Sequence, residues 1–324
     1  MKFYSKIIFV FFVFLIKVNF AHAELIGNFI LDPENPGPYE QVSVTLSSYD
    51  FDVNSADIAW KIDNKIASRG PGVKQIKLTT NAVGTFNNVS VTAKLADGQI
   101  FQASMNVSPS SVALLWESPE GFTPPFYEGR TLPAEGALVR VTAIPQMTSY
   151  GKIVGPADIS YSWYKNDEYI ESASGRGKQA ADINLEYLSD STIVKVLAVA
   201  PDRTSATKSI TIYPHIISPL FYLNDPILGT DLTRAITQRF ETTKDFTLRF
   251  IPYFFSLNNG AGDGATFAWS LDGLPIDTQD NMTINLRPKE NTFGSRTLGV
   301  SIENTKRILQ NAKADLNIVF DTRQ

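Results

Sequence analysis

A short alternating segment centred on a tryptophan occurs three times in this sequence, and it constrains the fold more strongly than any other feature. In one copy, Ile159, Tyr161 and Trp163 alternate with small or polar residues, which is the period of a strand that buries one face. The segments Ile58–Asn64 and Phe267–Gly273 repeat this design at roughly one hundred residues' distance, an ordinary domain length. The sequence therefore predicts three similar domains in series. The predicted core residues are Trp60, Trp163 and Trp269.

Turn-forming residues follow each tryptophan strand. They are Asp63-Asn64, Asn166-Asp167 and Asp272-Gly273. Glycine and the short Asn and Asp side chains tolerate the backbone of tight hairpins. Farther along each copy, an Ile-x-Leu pair and then an alternating apolar strand recur. Short alternating strands separated by turns predict an all-β fold of three tandem antiparallel β-sandwiches, with each tryptophan between two sheets.

The predicted domain boundaries follow the junctions between the three copies. Only a few residues separate the last strand of one copy from the first strand of the next, at 108–111 and at 213–215. The predicted divisions are a secretory signal peptide at 1–23 and sandwich domains at 24–108, 109–213 and 214–324.

One segment of the third domain departs from the strand pattern. Thr230–Phe240 begins with capping residues and places Leu232, Ile236 and Phe240 four residues apart. This spacing predicts a short helix, because residues four apart share one helix face. An irregular loop is the alternative.

The N-terminus has the three parts of an export signal. Met1–Lys6 is positively charged, Ile7–Ile16 is an unbroken apolar run, and Ala21–Ala23 is an A-x-A cleavage site. The apolar run is shorter than the about 20 residues that span a bilayer, so we expect cleavage rather than an uncleaved anchor. No second apolar run of spanning length follows. We therefore expect an extracellular, periplasmic or cell-surface protein without an integral membrane segment after cleavage.

The sequence contains few side chains of the types that usually carry out catalysis. The chain has no cysteine and two histidines, of which His22 leaves with the signal and His215 lies at a predicted domain junction. This composition excludes disulfides, Ser-His-Asp triads, Cys-His pairs and ordinary zinc sites. The net charge of −4 and the lack of a basic patch argue against a nucleic-acid partner. We predict no catalytic residue, no metal site and no cofactor.

Carboxylates remain as candidates for chemistry. Asp50, Asp52 and Asp57 form the densest acidic group, in the loop before Trp60. A pair of carboxylates can serve a glycosidase, and such a loop can hold calcium at a domain end. The loop lacks the glycine and glutamate of an EF-hand, because Ser55 and Lys61 occupy those positions. A solvated polar loop is the simpler interpretation.

One aromatic segment is the better candidate for recognition. Phe122, Phe126 and Tyr127 lie within six residues, held by two intervening prolines. A rigid apolar surface of this kind can bind a sugar or a protein partner with little loss of conformational entropy. The alternative is that the segment covers an edge strand of its own sandwich. The aromatic run Ile251–Phe255 raises the same question.

The tryptophan strands also carry a family resemblance. Trp163–Asp167 resembles the third strand and turn of immunoglobulin-like (Ig-like) domains, and Trp269–Gly273 with Gly294 resembles the PKD-like modules of bacterial exported proteins. The resemblance covers nearly all of the mature chain, without the cysteine pair of antibody domains. It implies extracellular spacers, adhesion modules and surface-assembly parts, and it seldom implies catalysis.

Two hypotheses follow for the function. The first is an exported, non-catalytic module for adhesion, spacing or envelope assembly, associated with a pilus or secretion system in some relatives, that binds a protein or glycan at the cell surface. The second is a carbohydrate-binding accessory protein or a carboxylate-dependent glycan-active enzyme. The second hypothesis would use the aromatics at 122–127 or the acidic loop at 50–57.

Overall fold

The computed structural model describes residues 25–257, 264–278, 280–289, 293–307 and 309–321, and these residues are organised in β-strands. Among them there is no α-helix, and one 3-10 turn lies at Pro156–Asp158. The structure confirms the all-β prediction. The predicted signal peptide lies outside the described residues.

The chain forms two compact units. One contains residues 25–32, 43–78 and 88–106, and the other contains 33–42, 79–87 and the residues from 107 onward. The domain boundaries predicted from the sequence stay a prediction.

The first set of strands forms two antiparallel sheets, in the orders β1-β2-β5 and β4-β3-β6-β7. The strands are β1 (Asn28–Asp32), β2 (Gln41–Ser47), β3 (Asp57–Ile62), β4 (Lys65–Pro71), β5 (Gln75–Thr79), β6 (Asn87–Lys94) and β7 (Ile100–Val107). Trp60 on β3 is fully buried, and its ring lies 6.0 Å from Phe29 on β1, so the two sheets face each other across the tryptophan.

The second sandwich repeats this arrangement with the sheets β8-β9-β15 and β13-β12-β16-β17, β14 adding to β12 and β10 pairing with β11 in a separate hairpin. The strands are β8 (Ser111–Glu117), β9 (Leu138–Gln146), β10 (Thr148–Ser149), β11 (Lys152–Ile153), β12 (Ser160–Lys165), β13 (Glu168–Tyr169), β14 (Gly175–Arg176), β15 (Ala180–Asn184), β16 (Thr192–Val199) and β17 (Ser205–Ile212). Its core contains apolar residues from both sheets around Trp163.

The third sandwich has the sheets β19-β18-β21-β24 and β20-β26-β25-β22-β23. The strands are β18 (Ser218–Asp225), β19 (Gly229–Thr230), β20 (Arg239–Thr242), β21 (Phe246–Tyr253), β22 (Ala265–Leu271), β23 (Leu274–Ile276), β24 (Thr283–Leu286), β25 (Phe293–Asn304) and β26 (Asn311–Asp321). The strand β20 pairs with β26 in parallel, and the other pairings of this sandwich are antiparallel.

The same indole hydrogen bond occurs in all three sandwiches. Each buried tryptophan donates its ring N–H to a backbone carbonyl two residues before a strand of the facing sheet, namely β5, β15 or β24. The bonds join Trp60 Nε1 to Val73 O (2.6 Å), Trp163 Nε1 to Lys178 O (2.9 Å) and Trp269 Nε1 to Asn281 O (3.0 Å). A buried indole needs such a partner. Each tryptophan therefore fills the core and ties one sheet to the other.

The turn after each tryptophan strand is also repeated. Both turn residues have positive φ in every copy, as the tightest two-residue hairpins require. The first turn residue exchanges backbone and side-chain hydrogen bonds with a residue at the start of the neighbouring strand. The side-chain bonds run from the backbone N–H groups of Asn88, Ile193 and Thr297 to Asp63 Oδ1 (2.8 Å), Asn166 Oδ1 (2.8 Å) and Asp272 Oδ1 (2.9 Å).

The helix predicted over Thr230–Phe240 is wrong. Thr230 ends β19, Ile236 forms a β-bridge with Phe221, and Phe240 lies in β20. Ile236 and Phe240 both pack against the third core. Their spacing therefore reflects two successive strand contacts with the core, and pairing with β26 satisfies the backbone better than one isolated helical turn.

The burial of Trp163 predicts a large loss of stability on truncation. We expect Trp163→Ala to lower the free energy of unfolding by about 3–5 kcal/mol, because it empties the centre of the second core. The control is Trp116→Ala, whose half-buried ring lies at the margin of the same core beneath Arg130. Urea denaturation followed by circular dichroism measures both, and equal losses would contradict the central role of Trp163.

Candidate functional site

The aromatic segment of the second sandwich forms a backbone ladder with the third. The backbone N–H of Phe122 donates to Phe255 O, that of Phe254 donates to Phe122 O, and that of Leu257 donates to Glu120 O, each at 2.8 Å. We call these three bonds the junction ladder. The segment therefore covers the third sandwich rather than an edge of its own, which corrects the alternative considered from the sequence.

Side-chain packing reinforces the junction ladder. Phe122 is half-buried and packs against the core of the third sandwich. The next residue back, Gly121, has no room for a side chain, since an added Cβ would lie 2.5 Å from Thr131 Cγ2. A larger residue at this position would therefore require Thr131 to move.

A buried polar network lies beside the ladder. Gln310, Ser256 and Asn304 are all nearly inaccessible to solvent. Gln310 Oε1 accepts hydrogen bonds from Ser256 N (3.0 Å) and Asn304 Nδ2 (2.9 Å), while Gln310 Nε2 donates to Glu135 O at 3.2 Å. Gln310 Nε2 also donates to Ser256 Oγ at 3.1 Å. Buried amides without partners are costly, so the additional bond to the carbonyl of the second sandwich stabilises this network.

One arginine completes the contact. Arg307 of the third sandwich donates to the Glu120 carboxylate and to the carbonyl of Gly136, both in the second. The two charged side chains are only 17% and 26% exposed, so solvent screens this pair less than a surface ion pair. The backbone N–H of His215 adds a bond of 2.7 Å to Pro133 O. The structure thus gives His215 a structural contact.

The three aromatic residues predicted as ligand contacts have different surroundings. Phe122 lies in the junction, whereas Phe126 is 98% exposed at a positive φ. Tyr127 is partly exposed, and its ring lies 6.0 Å from Tyr253 and 6.2 Å from Phe254. Phe126 is therefore an exposed residue that precedes, in sequence, a tyrosine of the aromatic cluster at the junction. A ligand contact at this place stays a prediction.

The aromatic cluster continues into the third sandwich. The hydroxyl groups of Tyr222 and Tyr253 are 3.1 Å apart. Burial, followed by the contact with Tyr253, raises the pKa of the Tyr222 hydroxyl well above its usual value, so Tyr222 stays neutral. The ring of His215 lies 6.2 Å from Phe254. This is the aromatic run that the sequence singled out without indicating its partner.

The acidic side chains of the loop before Trp60 bond to other groups of the first unit. Asp50 Oδ2 accepts a hydrogen bond from Ile26 N at 2.7 Å, and Asp52 Oδ1 accepts one from Asn54 N at 3.0 Å. The bond from Asn54 N lowers the pKa of Asp52. Asp57 pairs with Arg69 at 3.2 Å. Within the described residues, no group of acidic or histidine side chains is arranged to hold a metal ion.

Two concave surfaces occur in the second unit. The larger, about 1100 Å³, lies on the third sandwich between the β18–β19 hairpin and the ends of β21 and β24. The smaller, about 380 Å³, adjoins the junction and is lined in part by Ala134, His215 and Gln310. Neither was predicted from the sequence. No helix long and apolar enough to cross a membrane occurs in the part of the chain that the structure describes.

Solved structures with a similar arrangement are tandem β-sandwich proteins. The fibronectin(III)-like modules of Clostridium thermocellum CbhA are 14% identical, with a TM-score of 0.31, over 58% of this chain and 94% of that one. The strands of this chain likewise form successive β-sandwiches. The central fibronectin-III array of RIM-binding protein is 10% identical, with a TM-score of 0.28, over 90% and 98%.

A phage protein gives a third comparison. The three N-terminal domains of the outer capsid protein Hoc of bacteriophage RB49 are 8% identical to this chain, with a TM-score of 0.25, over 93% and 99% of the two chains. No protein-family model and no curated protein matches the sequence.

The ion pair at the junction predicts coupled stability of the second and third sandwiches. We expect Arg307→Ala to lower the free energy of opening the junction by about 1–3 kcal/mol, because the Glu120 carboxylate and the Gly136 carbonyl lose their donor. Hydrogen exchange of the Phe122, Phe254 and Leu257 amides should accelerate accordingly.

The control for this variant is an arginine with an exposed ion pair. Arg176→Ala removes a contact of 2.6 Å with Asp158, whose side chains are 69% and 57% exposed, and it should leave those amides unchanged. Equal exchange rates in the two variants would show that the Arg307 pair does not hold the junction closed.

Proposed function

We propose that this chain is an exported, non-catalytic surface module that acts in adhesion, spacing or envelope assembly. The observation that supports this most directly is the built junction between the second and third sandwiches. Its ladder, its buried amide network and its shielded ion pair fix one sandwich on the next. Adjacent domains otherwise move relative to one another unless their interface is extensive.

A fixed junction suits a protein that presents surfaces rather than one that performs chemistry. Its side chains hold the orientation of two sandwiches, so loops on both keep a constant separation when a partner binds. Binding then costs less ordering entropy than it would with a flexible linker. Adhesion and spacer proteins both need this property, and so do parts of an envelope assembly.

The proposed contact with the partner is the pair Phe126 and Tyr127. Phe126 projects into solvent from a segment held by Pro124, Pro125 and the junction ladder, and Tyr127 is supported by the rings of the third sandwich. Exposed aromatic rings on a rigid support are typical of binding hot spots. The partner would be a protein or a glycan at the cell surface.

The enzyme hypothesis has no observation in its favour among the described residues. Asp50 accepts a hydrogen bond from Ile26 N, Asp52 accepts one from Asn54 N, and Asp57 pairs with Arg69, so each of these carboxylates has a structural partner. The carbohydrate-binding hypothesis is supported by a different surface, the larger groove on the third sandwich.

Export gives the first test of this proposal. We expect the mature chain to begin at Glu24, because the A-x-A site ends at Ala23. Intact mass spectrometry of the protein recovered from the envelope or the medium measures this directly. A chain retained in the cytoplasm with residues 1–23 intact would contradict export.

Binding to cells gives the second test. We expect the labelled mature chain to bind intact cells of the producing organism, and Phe126→Ala with Tyr127→Ala to weaken this binding about tenfold or more, since aromatic hot spots contribute about 1–2 kcal/mol each. The control is Tyr49→Ala, which removes an equally exposed ring in the first unit. Equal binding of both variants would contradict the aromatic contact, and no binding at all would contradict adhesion.

A further inference from the structure

The larger concave surface lies on the third sandwich and is lined by both polar and apolar side chains. It is an open groove of about 1100 Å³, somewhat larger than the 300–1,000 Å³ of typical small-molecule sites. The ends of β18, β21 and β24 form its base, and the turn Asp225–Gly229 forms its rim.

Four polar side chains form a row across the sheet at the groove. Asn224 lies opposite Thr230, and Thr247 lies opposite Asn285. Leu223 lies opposite Leu248 in the antiparallel pairing of β18 and β21. The next pair along these strands is Asn224 and Thr247, which therefore lie side by side. The row therefore runs across β19, β18, β21 and β24, and three strand spacings make it about 14 Å long.

The row lies on the outer face of the sheet. Leu248 and Ile284 belong to the core, so their neighbours Thr247 and Asn285 point the other way. Phe221 is also a core residue, which places Asn224 on the same outer face. Side chains opposite one another across strands share a face, so the four polar groups are presented together.

The hydrogen bonds within the row leave donors available. Thr230 Oγ1 donates to Asn224 Oδ1 at 2.7 Å, and Thr247 Oγ1 donates to Asn285 Oδ1. Neither carboxamide nitrogen donates to another group in the described part of the chain. Each threonine oxygen can also accept a bond. The row therefore presents alternating donors and acceptors, which is the arrangement that a row of hydroxyl groups satisfies.

The charges around the groove favour a neutral ligand over an anionic one. Asp245 pairs with Arg287 at 2.6 Å. The carboxylate of Asp225 accepts bonds from Ile227 N and Leu228 N, and that of Asp231 accepts one from Thr233 N. Both carboxylates keep their negative charge, and Arg287 is paired with Asp245, so the net negative charge of the groove disfavours phosphate, sulfate and acidic sugars.

Apolar surface lies beside the polar row. Leu228 on the rim is 88% exposed, whereas Leu223, Phe246 and Leu286 alternate with the row and border the groove from the core side at the strand ends. A sugar ring combines a hydroxyl edge with an apolar C–H face, and the polar row and the exposed Leu228 side chain match these two parts. An extended peptide would instead pair with a free strand edge through its backbone, whereas these groups are side chains on a sheet face.

We infer that this groove binds a neutral oligosaccharide, with Asn224, Thr247 and Asn285 contacting its hydroxyl groups. The length of the row suits a chain of sugars rather than a single ring. This site lies on the third sandwich and depends neither on the junction nor on Phe126. The inference therefore goes beyond the proposed function and can be tested independently of it.

Isothermal titration calorimetry of the mature chain tests the inference. The probes are neutral hexasaccharides of β-1,4-glucose, α-1,4-glucose, β-1,4-xylose and β-1,4-N-acetylglucosamine, with a galacturonate hexasaccharide as the charged comparison. We expect at least one neutral probe to bind and the charged probe not to bind. Asn224→Ala with Asn285→Ala should weaken binding about tenfold or more, because two hydrogen bonds to the sugar are lost.

The matched control is Asn184→Ala, an exposed asparagine on β15, the strand of the second sandwich that corresponds to β24. It should bind as tightly as the unmodified chain. Thr247→Val, which keeps the side-chain shape, should also weaken binding. Circular dichroism should show the same unfolding transition for every variant as for the unmodified chain. Absence of binding by all neutral probes, equal binding by the variants, or preference for the charged probe or for an extended peptide would overturn the inference.

Discussion

The indole hydrogen bond to the facing sheet is the interaction on which each sandwich depends. It gives the largest buried side chain a fixed direction, because the N–H of Trp60, Trp163 or Trp269 meets a carbonyl just before a strand of the other sheet. Area burial alone would allow the two sheets to slide, since apolar attraction is not directional. The hydrogen bond sets their register, and the Asx turn that follows then ties the tryptophan strand to its neighbour at the opposite end.

The local part of this design was predictable from the sequence, and the rest was not. Alternation around Trp163 and the turn at Asn166-Asp167 are properties of adjacent residues, so a strand, a buried ring and a hairpin follow from them. The partner carbonyl is 12 to 15 residues away across loops of different length, and no local pattern indicates it. The helix prediction for Thr230–Phe240 was wrong for a related reason. Contacts with the core at Ile236 and Phe240 produced a helical spacing by coincidence.

The candidate surfaces show the same limit. Prolines and aromatics marked Phe122–Tyr127 as unusual, because such a segment is rigid and apolar. Its backbone partners Phe254 and Phe255 lie more than 130 residues farther along the chain, and no local pattern pairs the two segments. The row at Asn224 and Asn285 arises only when strand registers place it on one face. In sequence, its members resemble the solvated side of any strand, so only the paired sheet reveals the groove.

The junction has a consequence for how this protein can be divided or recombined. The Gln310 and Asn304 amides are buried at this junction, and Gln310 Nε2 donates to a carbonyl of the other sandwich as well as to Ser256 Oγ, so the third sandwich alone leaves one of these hydrogen bonds unmade. An isolated copy would expose these amides and the apolar site of Phe122 to solvent. The second and third sandwiches are therefore expected to be most stable as a pair. Gene rearrangements that duplicate or exchange one of them alone should be selected against, in contrast to the free shuffling of modules joined by flexible linkers.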